Sequence, residues 1–274
     1  MTDPAFRKDL YRGAGLDYDQ FRVSYPQDLI ADLLDRTGAD GSGRMLDLAC
    51  GTGQLTFAVR GKFAEIWAVD QEPDMITVVR AKAEAAGATE IHAQVAAAES
   101  VPVPPGSVDL VGIGNAFHRM PRDAVAGSAL RWLRPGGHLA VAMGGGPFFG
   151  DAPWQQALRE FMRRWRRRAE EHSGTGPAIP EGHEQAQAAR PDREVVREAG
   201  FEPLGSWQFP AEYYWTLDAL CGNLLSTSGF TRNTLGRLVP EFERDLRAQL
   251  SPYASDGRIR QELVFRYDLA RRPG

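Results

Sequence analysis

The segment Asp47-Leu48-Ala49-Cys50-Gly51-Thr52-Gly53 places two glycines and an acid where a strand gives way to a helix. A second acid, Asp70, closes the next strand. Glycines at such a turn let a ligand approach the backbone and reach φ values that other residues avoid. The helix behind them presents unpaired N–H groups. Asp70 can accept two hydrogen bonds from ribose hydroxyls, at the place where such ligands sit in an open α/β sheet. Together these residues describe a nucleoside-binding β-α-β unit. A dinucleotide fingerprint needs a third glycine for close packing against a pyrophosphate, and that position is Thr56. Asp47 would repel a pyrophosphate, yet it can order the loop and meet an ammonium group through water. The pattern favours a nucleoside with a cationic amino-acid tail, with an NAD-type dinucleotide as the alternative.

Such a turn needs a sheet beneath it. From residue 44 to about 143, short apolar runs alternate with helical segments. The strands are predicted at Met45–Ala49, Ile66–Asp70, Ile91–Val95, Val108–Ile113 and His138–Met143, and the helices at Gln54–Phe63, Pro73–Ala86 and Pro121–Leu133. Continuous apolar strands between helices mean a parallel sheet covered on both faces. Two later runs, Glu202–Tyr213 and Glu262–Leu269, complete the expected fold: an α/β, Rossmann-like, doubly wound sheet of seven strands, the last antiparallel.

Helices fill the remainder. One starts at Pro26 and buries Leu29, Ile30, Leu33 and Leu34 before Gly38; another over 151–168 carries a stripe of Trp154, Leu158, Phe161 and Trp165. Residues 192–199, 216–226 and 231–250 also read as helices, 1–25 as a loose cap, and 173–190 as a mobile, lid-like loop. The expected organisation is an N-terminal helical cap over 1–40, a binding core over 41–146, and helical substrate-cap insertions plus the final two strands over 147–274.

The 274 residues carry a net charge of −4 and two cysteines, Cys50 and Cys221, too few for a disulfide framework. Met1-Thr2-Asp3-Pro4 is polar with no apolar segment behind it, which predicts no signal peptide and a cytoplasmic location. No run approaches the roughly 18 apolar residues of a spanning helix, so no membrane is expected as a partner. The Arg163–Arg168 run is flanked by Glu160, Glu170 and Glu171 and reads as a solvated helix face; no nucleic acid is expected.

Asp47–Gly53 resembles motif I of the class I S-adenosylmethionine-dependent methyltransferases. Asp70 matches that family's ribose-binding acid, and Met75 the apolar residue that packs on the adenine. Ala98–Val111 is similar to the family's segment through strand four, and Leu133-Arg134-Pro135-Gly136-Gly137 to the turn before strand five. Ala97 stands where many members carry an acid for the adenine amino group, so backbone near Ala98 would hold the adenine. Phe21-Arg22-Val23-Ser24-Tyr25-Pro26 resembles the N-terminal signature of the trans-aconitate methyltransferase-like (methyltransferase type 11) group. Asn115-Ala116-Phe117-His118-Arg119 resembles that group's segment after strand four, with Arg119 in place of the usual Trp.

The resemblance implies S-adenosylmethionine as cofactor, bound by Arg22, Tyr25, Asp47, Ala49, Gly51, Gly53, Asp70, Gln71, Met75, Ala98 and Asn115. Arg22 and Tyr25 would reach its carboxylate tail. It also implies methyl transfer to a small-molecule acceptor, first to a hydroxyl and second to an amine, in bacterial natural-product biosynthesis. His118 is the candidate catalytic base, since an imidazole of ordinary pKa about 6.5 can take a proton near neutral pH; the alternative is a histidine that only holds its loop. Tyr213, Tyr214 and His183 are the candidate substrate contacts. No metal is expected, because Met143-Gly144-Gly145-Gly146 offers no carboxylate. The chain is expected as a monomer or homodimer. A dehydrogenase and a non-catalytic cofactor-binding protein are the competing classes.

Overall fold

The computed structural model describes residues 5–274. Met1–Pro4, the segment behind the expectation of no signal peptide, lies outside the described residues. Two helices, α1 (Gly15–Phe21) and α2 (Gln27–Thr37), precede the sheet. Then β1 (Arg44–Leu48), α3 (Gln54–Ala58), β2 (Glu65–Asp70), α4 (Pro73–Ala85), β3 (Ile91–Val95), β4 (Val108–Gly114), α5 (Arg122–Trp132) and β5 (Leu133–Met143) alternate. Next come α6 (Pro153–Ser173), α7 (His183–Ala189) and α8 (Asp192–Glu198), before β6 (Glu202–Thr216). Three more helices, α9 (Leu217–Leu225), α10 (Arg232–Leu235) and α11 (Val239–Leu250), separate β6 from β7 (Arg258–Arg271).

The seven strands form one sheet in the order β3-β2-β1-β4-β5-β7-β6. The first five pair in parallel, and β7 runs antiparallel to both β5 and β6. Strand order reverses between β1 and β4, and the crevice outside their C-terminal ends is where such sheets take ligands. Apolar side chains fill both faces: Leu29, Leu33, Met45, Ile66 and Ile76 on one, Leu46, Val111, Ile113, Val125 and Trp132 on the other. A third core joins the insertions. The α6 stripe buries Phe161 and Trp165 against Phe242, with ring centroids 5.0 and 5.2 Å away. Burying each such side chain contributes about 1.5–3 kcal/mol. The arginines opposite the stripe face outward, and Arg164 and Arg168 bond Gln249 and Glu241.

Four departures from the expected elements have local causes. Residues 1–25 are not all loose, because α1 is held by Arg232 on Asp17 at 2.8 Å and by Asn223 donating to the Phe21 carbonyl at 3.0 Å. So short a helix depends on tertiary contacts that leave no periodicity in the sequence. The 173–190 loop contains α7. The 231–250 helix breaks at Gly236, whose φ of 50° and ψ of −124° end α10, and α11 restarts with Pro240 in its first turn. β5 begins at Leu133 rather than His138. Arg134–Gly137 is carried as an irregularity opposite Val108 and Leu110, and the Gly136 N–H donates to Arg272 O at 3.0 Å.

Candidate active site

The turn after β1 is built from backbone donors and two acids. Gly51 and Gly53 hold φ of 56° and 86°. A Cβ on Gly51 would stand 3.1 Å from the Tyr18 ring, and one on Gly53 would meet Phe57 at 2.8 Å. Asp70 accepts the Gly51 N–H on one carboxylate oxygen and the Glu72 N–H on the other, both at 2.9 Å, which fixes the end of β2 to the turn. Asp47 accepts from the Thr56 N–H at 3.0 Å and its hydroxyl at 2.5 Å. Thr56 therefore fills the place of a third glycine in order to serve this acid. Burial pushes the Asp47 carboxyl up to about 7. Ala49 and Asn115, just beyond β1 and β4, have φ of 50° and 53°. Such conformations cost on the order of 1–3 kcal/mol and collect at ligand sites.

These strand ends line a cavity of about 300 Å³, at the lower end of the roughly 300–1,000 Å³ range of small-molecule pockets. The β2–β3 side contributes Asp70, Gln71, Met75, Ala96 and Ala98, while the segment after β4 gives Asn115, Arg119, Met120 and Pro121. Phe6, Lys8, Tyr11 and Tyr18 cover it from the N-terminal side. A smaller cavity of about 30 Å³ takes in Arg22, Tyr25, Asp47 and Gln54. Tyr18, Ala49, Gly114 and Asn115 border both, so the two adjoin. Arg22 donates to the Ser226 hydroxyl and carbonyl, each at 2.8 Å, and lies 4.6 Å from the Tyr18 ring centre. Asn115 is pinned by Gly144 in both directions, accepting at 2.9 Å and donating at 3.1 Å.

Residues 45–137 match the family described as a methyltransferase domain. An uncharacterised methyltransferase of Mycobacterium tuberculosis is 34% identical over 124 residues, 45% of this chain and 47% of that protein. A demethylmenaquinone methyltransferase of Thermus thermophilus is 39% identical over 101 residues, 36% of this chain and 46% of that protein. The chain spans about half the length of the curated relatives it matches. Among solved structures, a protein of Anaeromyxobacter dehalogenans assigned as a type II methyltransferase superposes with a TM-score of 0.62 at 21% identity, covering 92% of this chain and 97% of that one. Residues 45–137 form a methyltransferase domain. The fold alone carries less, since the 4+2 cyclase SpnF also superposes, with a TM-score of 0.55 at 17% identity over 100% of this chain and 98% of that one.

The residues present fit S-adenosylmethionine, the cofactor expected for such a domain. Gly51 leaves a cradle that any Cβ would fill, and Asp70 keeps lone pairs toward the cavity. In the smaller pocket an arginine whose hydrogen bonds among the described residues go to neutral groups, and a buried carboxyl, match a tail bearing one carboxylate and one ammonium. Of the residues expected to bind the cofactor, Ala49, Gly51, Asp70, Gln71, Met75, Ala98 and Asn115 border the larger cavity. Arg22, Tyr25 and Asp47 border the smaller one. Gly53 borders neither and instead starts α3.

The expected substrate contacts fare differently. Tyr213 and Tyr214 line neither cavity: β6 is the far edge of the sheet, where Tyr213 packs on Trp215 at 4.6 Å and Tyr214 is exposed. His183 lies behind the cavity, its ring 4.8 Å from Phe6. His118, in a short 3-10 helix over Phe117–Arg119, also lines neither. Its Nε2 accepts from Arg119 Nε at 3.3 Å, and burial and the Arg119 charge push its pKa down to about 3. Sequence reasoning missed Phe6, Tyr11 and Tyr18, for which no spacing pattern exists.

Proposed function

We propose that the chain moves a methyl group from S-adenosylmethionine to a hydroxyl, or as second choice an amine, of a small organic molecule, in the cytoplasm and as part of natural-product biosynthesis. The observation that carries this reading is the pair of adjoining cavities at the reversal of strand order, with a carboxylate at one side and an aromatic wall at the other. When bound, the cofactor would supply an electrophilic methyl group on a sulfonium: an acceptor lone pair would take it as the methyl–sulfur bond breaks, S-adenosylhomocysteine would leave, and the acceptor's proton would pass to solvent. Asp70 holds the ribose, Met75 and Ala98 the adenine, and Asp47, Arg22 and Tyr25 the amino-acid tail. Residues 41–146 act as the binding core. The cap of 1–40 and the insertions within 147–274 enclose the acceptor and exclude water.

His118 is assigned a positioning role rather than that of base. A side chain with a pKa near 3, whose Nε2 already accepts a hydrogen bond, is poorly matched to removing a proton near neutral pH. Alignment alone can supply roughly 7–11 kcal/mol of barrier reduction, more than the typical 10²–10⁴-fold of a positioned base. The test is transfer of label from methyl-labelled S-adenosylmethionine to panels of phenols, alcohols and amines. Label should appear in at least one class, with His118→Ala slowing it less than about tenfold. Tight cofactor binding without transfer to any member would favour the non-catalytic reading; a loss of hundredfold or more in His118→Ala would restore the base.

A further inference from the structure

Arg119 reaches the cavity from the 3-10 helix after β4, and both of its hydrogen bonds go to uncharged groups. Its Nη1 donates to Ser228 Oγ at 3.1 Å and its Nε to His118 Nε2 at 3.3 Å. The rings of Phe6 and Tyr11 lie 5.4 and 5.5 Å from its Cζ. Among the described residues no carboxylate forms an ion pair with it. Arg122, three residues on and 1% exposed, is treated differently: it is paired with Asp192 at 3.0 Å. A partly enclosed guanidinium without a counter-ion keeps its charge and gives up hydration, which is costly unless an anion arrives. His118 supports this arrangement. Its imidazole is neutral, accepts from the guanidinium and adds no competing charge.

We propose that Arg119 is the specificity-determining residue of the acceptor site, taking an oxyanion (carboxylate or phosphate) of the acceptor, and that Ser228 and His118 aim it. The inference rests on the methyltransferase reading, in which Asp70 and the smaller cavity are occupied by the cofactor. It assigns to the acceptor a second group, remote from the one that is methylated. Lys8 also lines the cavity, where it offsets Glu72 and Glu99. Exposed as it is, Lys8 steers the acceptor, while the fork of Arg119 fixes its orientation. Flanking by Phe6 and Tyr11 suits an acceptor with an apolar or aromatic body.

The experiment uses the full chain saturated with S-adenosylhomocysteine and measures binding of benzoate, phenyl phosphate, benzamide and benzylamine by calorimetry. Benzoate or phenyl phosphate should bind at least tenfold more tightly than benzamide, and benzylamine most weakly; the tighter of the two anions identifies the oxyanion. Arg119→Gln should cost about 10- to 100-fold in anion affinity, the scale of a hydrogen bond to a charged group. Arg119→Lys should recover part of that loss and Ser228→Ala show part of it, with S-adenosylhomocysteine affinity and melting temperature unchanged in Arg119→Gln. Equal binding of benzoate, phenyl phosphate and benzamide, no binding of either anion, or full anion binding by Arg119→Gln would each overturn the proposal while leaving the cofactor assignment standing. Failure of S-adenosylhomocysteine itself to bind would remove the methyltransferase reading and this inference with it.

Discussion

The two walls of the cavity are made in different ways. The β1–β2 side is local: Asp47, Gly51, Thr56 and Asp70 lie within one β-α-β unit and act largely through backbone N–H groups. The opposite side is assembled from distant segments, with Arg22 held by Ser226 and Arg119 by Ser228, both on the stretch that follows α9. The local wall depends on residue type at its two acids and its glycines, because the backbone donors pair with those carboxylates. The wall assembled from side chains across the chain is the part free to specify an acceptor.

The sharpest way to break this contrast is Asp70→Ala. It removes a carboxylate proposed to bind two ribose hydroxyls and leaves the N–H groups of Gly51 and Glu72 unpaired. S-adenosylhomocysteine affinity measured by calorimetry should fall by about 100-fold or more, at 1.5–3 kcal/mol per charge-assisted bond. A fall below tenfold would mean the ribose is held elsewhere. Behind the other wall, where α1 packs on α9, a Cβ at residue 222 would enter the Phe21 ring. Gly222→Ala should therefore destabilise by about 1–3 kcal/mol through overpacking, seen as a melting temperature lower by several degrees. An unchanged melting temperature would show that α1 and α9 are not clamped as described.

A smaller effect separates the two walls by pH. Asp47 is raised from its ordinary 3.8 to about 7, so its contribution to stability is full below 3.8 and is lost as pH rises toward 7. His118 is lowered from 6.5 to about 3, so its contribution is full above 6.5 and is lost as pH falls toward 3. The two slopes oppose each other between about 4 and 6.5 in the cofactor-free protein. Relative to the unsubstituted chain, Asp47→Asn should make stability climb more with pH across that window and His118→Asn should make it climb less, in melting curves at each pH. Shifts of the same sign in both variants would contradict the assignment.

The local wall was legible in the sequence for a physical reason. Asp47, Gly51, Gly53 and Asp70 stand close together, and each has a chemical need that only its residue type meets. The parallel strands showed as apolar runs, and the α6 stripe as a helical repeat. Tyr18 and Arg119 were not legible as sharing a cavity with Asp70, because nothing local records which distant residues will meet. Tyr213 and Tyr214 were misplaced because their hydroxyls suggested a pocket, while strand order put β6 at the sheet's far edge. His118 stood in the right segment, but its burial, and then the charge of its partner Arg119, changed its chemistry.

The central claim is that one nucleoside with an amino-acid tail spans the two adjoining cavities, the nucleoside on the Asp70 side of the larger and the tail in the smaller. Titrating the full chain by calorimetry with S-adenosylhomocysteine and, separately, with NAD tests it directly. The account predicts saturable one-to-one binding of S-adenosylhomocysteine, weakened by Asp70→Ala and by Arg22→Gln, with no binding of NAD at the same concentrations. Tight binding of NAD with none of S-adenosylhomocysteine would contradict it.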